Sequence, residues 1–149
     1  MTTFTIPRMQ DPQNAADDVG EDHGTLLDKV NSLLHAISSP DETRVLMAGS
    51  CLKVAAREHF AREEAQMRAV QYPDIERHCE SHLRLLKNLS SLQFMLKNTA
   101  GFASDTGPFA FLERWFEAHL ANEDRKFADF SAQQAPLVAA AAAQPVFLR

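Results

Sequence analysis

Residues 59–82 read HFAREEAQMRAVQYPDIERHCESH. His59 and Glu63 stand four apart, as do His78 and His82, so on two helices each pair occupies one face, one turn above the other. Between them, Gln71-Tyr72-Pro73-Asp74 interrupts the helical run, because proline has no amide hydrogen and clashes with the preceding turn. The second helix then folds back beside the first. The two faces turn three imidazoles and a carboxylate into a shared interior, which is half of a metal site.

Working outward, the helix carrying His59 is expected to begin at a capping box, with Ser39 as N-cap, Pro40 at the first helical position and Glu42 at the third, and to run to about Val70. Its inward stripe is Val45, Leu52, Ala56, His59, Glu63, Met67 and Val70. Upstream, from about Asp17, the residues Val19, Leu26, Leu27, Val30, Leu33, Leu34 and Ile37 repeat as an amphipathic helix does, and His23 lies on the same stripe. The helix starting near Pro73 aligns Ile75, His78, His82, Leu85, Leu86, Leu89, Leu92 and Leu96. After a loop from Asn98 to Pro108, a fourth helix from about Phe109 turns Leu112, Trp115, Phe116, His119, Phe127 and Phe130 inward.

Four long stripes joined by short breaks make the fold class all-α, an antiparallel up-down-up-down four-helix bundle whose facing helices supply any cofactor site. Residues 1–16 hold two prolines and no periodicity and are expected to form an irregular arm. The helical domain covers 17–131. Residues 132–149 form an alanine-rich tail containing Pro136 and Pro145, an appendage whose short helical run is marginal unless docked.

Composition agrees with this plan. A chain of 149 residues suits one domain, and 5 Gly with a single Tyr favour helix over sheet. A net charge of -5 without a lysine or arginine stripe argues against nucleic acid. Cys51 and Cys79 match no zinc spacing and are read as free thiols of a reducing compartment. With no signal-peptide core and no run approaching the ~20 apolar residues of a membrane span, a soluble, cytoplasmic protein is expected.

Each pair of candidate ligands is ambiguous alone, since a His-x-x-x-Glu pair is commonly a surface contact. Their joint placement decides: of 6 histidines, all but His35 fall on the inward stripes. His35 is ~120° round an ideal helix from His23 and is a bystander. Glu58 and Glu64 flank the ligands and are expected in solvent. Five imidazoles with carboxylates exceed the four ligands of a tetrahedral zinc and fit two metals better. The paired Glu-x-x-His motifs of ferritin-like di-iron proteins are absent, as is His-Glu-x-x-His.

The segments HFAREE, YPDIERHCESH and HLANED, following an isolated histidine in a Leu-rich helix, resemble the hemerythrin family, specifically its single-domain bacterial members. The resemblance covers about His23 to Phe130. It implies a non-haem di-iron centre, with two Fe ions under an oxo or hydroxo bridge, that binds O2 reversibly. By motif position, His78, His82 and His119 resemble the ligands of the filled iron, His23 and His59 those of the iron with an open place, and Glu63 and Asp124 the bridging carboxylates. Phe116 stands where leucine is common in relatives. With Trp115 it is expected to line the apolar wall of the cofactor pocket.

Asp124 is five residues from His119, ~140° away on a regular helix, whereas Glu123 shares the His119 face. The family pattern favours Asp124, so a π-type widening is expected between His119 and Asp124. Neutral imidazoles leave less negative charge on the metals than a carboxylate-rich shell does, which favours binding O2 over oxidising a substrate. Oxygen storage, delivery to an oxygen-requiring enzyme, or sensing is therefore expected, rather than catalysis. The competing expectations are a peroxidase, oxidase or nitric-oxide-consuming enzyme at the same centre, and a regulatory module whose tail reports the oxygen state.

Overall fold

The computed structural model describes residues 17–37, 41–98 and 107–142. They form four helices and no strand: α1 (Asp17–Ile37), α2 (Glu42–Ala69), α3 (Ile75–Asn98) and α4, whose helical segments Gly107–Ala118 and Arg125–Ala142 are joined by a π-helical turn, His119–Asp124. The expected arm over 1–16, residues 99–106 of the third connection and residues 143–149 lie outside the described residues. No described helix is long and apolar enough to cross a membrane.

Side-chain contacts fix the register. His23 of α1 meets His59 of α2 with ring centroids 4.8 Å apart, while farther along α1 Leu33 approaches the earlier α2 residue Gly49. His78 of α3 lies 3.5 Å from Glu63, and Gln93 donates to Ser50 at 2.9 Å. Ser81 meets His119 of α4, and Leu92 shares a groove with Leu112. Numbers climb on one helix as they fall on its neighbour, so each pair is antiparallel. The contact of His23 with Asp124 at 3.0 Å closes α4 onto α1.

Among the described residues, two apolar clusters fill the interior. The larger takes Leu26, Val30 and Leu33 from α1, Leu52, Ala56 and Phe60 from α2, Leu85 and Leu89 from α3, and Leu112 and Phe116 from α4. The smaller joins Met67, Tyr72 and Phe127, with Val70, Ile75 and Phe130 against them. Buried polar residues occupy the layer between: His59, Glu63, His78, His82, His119 and Asp124. The bundle thus places ionisable groups in mid-interior, where they are costly unless paired or bound to a cation.

Two helix boundaries differ from the sequence expectation. The N-cap of α2 is Asp41, not Ser39: its backbone is extended, and its Oδ1 accepts from the Arg44 amide at 3.1 Å. Aspartate is at least as good a cap as serine and adds negative charge at the positive helix end, so α2 begins at Glu42; Ser39 and Pro40 lie outside the described residues. At the other end of the chain, α4 crosses the expected boundary at Ser131 and continues through Pro136 to Ala142. A run of alanines that extends an existing helix needs no new nucleus, which is the costly step for a short isolated one.

The α2–α3 turn ends α2 with a Schellman motif. The Gln71 amide donates to the Arg68 carbonyl at 3.2 Å and the Tyr72 amide to the Met67 carbonyl at 2.9 Å, while Met67 and Tyr72 pack together. The motif requires a left-handed residue, and Gln71 supplies it with φ 52°. A Cβ there costs about 1–2 kcal/mol that glycine avoids. Gln71→Gly is therefore expected to melt at or above the wild-type temperature, and Gln71→Val, β-branched at positive φ, several degrees below it. A thermal melt of the three proteins checks the order.

Candidate metal centre

All four helices supply this layer. The four-residue spacing places His59 and Glu63 one turn apart on α2, and His78 and His82 one turn apart on α3. On α4 the π turn brings residues five apart onto one face, so His119 Nε2 and Asp124 Oδ1 approach to 2.9 Å. The Asn122 side-chain amide donates to the Ala118 carbonyl at 2.9 Å, a donor where the regular ladder is interrupted. The widening expected from the sequence is present.

The ligand atoms fall into two overlapping groups. Glu63, His78, His82, His119 and Asp124 form one, and His23, His59, Glu63 and Asp124 the other, with the candidate atoms of each group within 4.8 Å of one another. Asp124 divides its oxygens between them: Oδ1 faces His78 at 3.1 Å and His119 at 2.9 Å, while Oδ2 faces His23 at 3.0 Å. Glu63 presents Oε2 to both groups, at 3.3 Å from His82, 3.5 Å from His78 and 3.6 Å from His59. Both carboxylates are thus shared.

These separations fit cations. Two donors each about 2.1 Å from one ion and at right angles stand about 3.0 Å apart, and His82 Nε2 lies 3.1 Å from His119 Nε2. Both oxygens of Glu63, both of Asp124 and Nε2 of His78 are buried without a well-aligned hydrogen bond. Each such atom costs about 1–3 kcal/mol, more when charged, and a bound cation removes that cost. Imidazole with carboxylate is a donor set suited to transition metals.

Most of the sequence-predicted ligands, His59, Glu63, His78, His82, His119 and Asp124, lie buried in the layer, and His23 joins them with its side chain 20% exposed. His35 and Glu58 face solvent. Trp115 lies flat on His119, ring centroids 4.3 Å apart, whereas Phe116 meets the edge of Trp115 and belongs to the larger apolar cluster.

Glu64 corrects its expectation. It is half-buried, and its Oε1 accepts from His82 Nδ1 at 3.0 Å. Sequence reasoning also passed over Ser81, 3.2 Å from His119 Nδ1, and Phe60, stacked on His82 at 3.8 Å. Phe60 was findable, since Leu52, Ala56 and Phe60 continue one stripe in steps of four. Glu64 and Ser81 were not, because each acts across a helix interface.

Burial alone would raise the pKa of Glu63, but His78 and His82 beside it outweigh burial and hold it below its ordinary value. Asp124 is likewise opposed by burial, yet His119, His23 and His78 hold it well below the carboxylate range. Burial pushes His78 down, but Asp124 and Glu63 raise it to about 9. The metal-free fold is therefore stabilised by the His78 proton below the ordinary histidine pKa of about 6.5, and loses that contribution as pH rises through about 9.

A cation must displace that proton. Apparent affinity should rise about tenfold per pH unit between about 6.5 and 9 and then level off, with matching proton release in calorimetry using buffers of different ionisation enthalpy. Substitution separates the two acids of the π turn. Asp124→Ala removes a ligand from both groups and should abolish stoichiometric metal uptake, while Glu123→Ala, whose carboxylate stands 3.5 Å from His119 Nδ1, should retain it. Metal analysis of the two purified variants checks this.

Comparison with curated proteins finds no match. The family profile described as hemerythrin HHE cation binding domain matches residues 14–130, which include all four helices as far as Phe130 and every ligand candidate. The chain therefore belongs to the hemerythrin family, and the buried histidine and carboxylate layer, whose residues could hold a metal ion, lies within the matched region.

Proposed function

We propose that the chain binds O2 reversibly at a pair of irons, for oxygen storage, delivery or sensing. The observation that carries this reading is the unequal sharing of donors. Three imidazoles face one cation position and two face the other, while Glu63 and Asp124 serve both. The position served by His23 and His59 is one donor poorer and lies on the more accessible side, because His23 is the most exposed of the ligands. When bound, a pair of irons supplies the two electrons that reversible O2 binding borrows and returns.

The chain's own residues favour binding over turnover. Phe60 and Trp115 lie flat on His82 and His119 and exclude water from the three-histidine side. The apolar clusters on either side of the layer keep it dry. Five imidazoles, each neutral once it ligates a cation, against two carboxylates limit the negative charge that would stabilise strongly oxidising metal states. The free thiols Cys51 and Cys79 suit a reducing, cytoplasmic setting.

Spectroscopy of the iron-loaded protein tests the proposal. A visible absorption band should appear on adding O2 and vanish on its removal over repeated cycles, without consumption of a reductant. Steady turnover of peroxide or nitric oxide, with no reversible band, would replace the carrier reading with an enzyme.

A further inference from the structure

Between the ligands and the surface runs a short chain of contacts that the metal centre itself does not require. Arg68 Nη2 lies 3.2 Å from Glu64 Oε2, and Glu64 Oε1 lies 3.0 Å from His82 Nδ1. Burial, and then the neighbouring Glu64 carboxylate, push the Cys79 thiol up. One turn before Glu64 on α2, Phe60 stacks on the His82 ring with the planes 9° apart. α2 therefore fixes a ligand of α3 in two ways: Phe60 sets the plane of the ring, and Glu64 sets its rotation within that plane.

From this geometry we infer that Glu64 is the positioning residue of the three-histidine group, orienting His82 and raising its donor strength; the inference rests on the di-iron reading above. A carboxylate oxygen accepts and a ring N–H donates, so in this 3.0 Å contact His82 Nδ1 is the donor. The Nε2 lone pair is then free for a cation, and it points where Glu63 Oε2 and His119 Nε2 converge, 3.3 and 3.1 Å away. An anionic partner on the far nitrogen makes an imidazole more basic. That favours the more oxidised state of an iron bound to it and lowers the reduction potential of the centre.

His119 differs. Its Nδ1 is nearest the neutral Ser81 hydroxyl at 3.2 Å, with Glu123 at 3.5 Å. Of these two rings His82 has the nearer carboxylate, at 3.0 Å against 3.5 Å, and Arg68 on the next turn of α2 holds that carboxylate in place.

The test loads wild type, Glu64→Ala and Glu64→Gln with ferrous iron. It measures retention against a chelator, the reduction potential of the loaded centre, and the melting temperature of each metal-free protein. Glu64→Ala should retain iron about 10- to 100-fold less tightly. Glu64→Gln, which keeps an acceptor and loses the charge, should fall between. Both should raise the potential, while the metal-free forms melt close to the wild type because the Glu64 side chain, 20% exposed, still reaches solvent. Wild-type retention and potential in Glu64→Ala would overturn the inference, as would weaker retention with an unchanged potential and a lowered metal-free melting temperature. If Glu64→Ala fails to fold, the potential of Glu64→Gln decides. A wild type that takes up no iron removes the di-iron reading and this inference together, whereas a wild type that loads beside equivalent variants removes this inference alone.

Discussion

A carboxylate whose two oxygens face different sets of imidazoles must be aimed by its backbone, and Asp124 is aimed by the π turn of α4. With regular winding, Glu123 would share the His119 face and Asp124 would point aside. The extra residue in the turn brings Oδ1 to His78 and His119 and Oδ2 to His23. α1, α3 and α4 are then joined through one side chain, and Glu63 adds α2. The rest of the bundle serves to hold four helices in the register that these two acids require.

The apolar clusters above and below the layer explain how the bundle tolerates it. Leucines and Phe116 on one side, and Met67, Tyr72 and Phe127 on the other, supply the burial that offsets desolvation of the acids and imidazoles between them. In the metal-free protein the acids and rings compensate one another in part, which is why both carboxylates sit below their ordinary pKa and His78 above its own. That compensation leaves oxygen and nitrogen atoms without aligned hydrogen bonds. The layer is prepared for cations at the expense of its own pairing.

Much of this was legible in the sequence because the ligands obey helical periodicity. The four-residue spacings of α2 and α3, with the break at residues 71–74, give two ligand-bearing faces and their antiparallel packing from a single stretch. The five-residue interval from His119 to Asp124 is itself the evidence of a π turn, once Asp124 rather than Glu123 is taken as the ligand. What was not legible depends on contacts between helices. Glu64 is adjacent to Glu63 and reads as a solvated acid until α3 is placed beside α2, when His82 proves to be within reach. The Asp41 cap was hidden by Ser39, a similar signal two positions earlier, and the length of α4 by a proline that reads as a boundary.

The central claim is that two cations lie side by side with Glu63 and Asp124 between them. Anomalous X-ray scattering at the iron absorption edge, from a crystal of the iron-loaded protein, tests it most directly. The account predicts two peaks per chain, one among His78, His82 and His119 and the other beside His23 and His59, with both carboxylates lying between them. A single peak, or two peaks with Asp124 turned to only one of them, would contradict it.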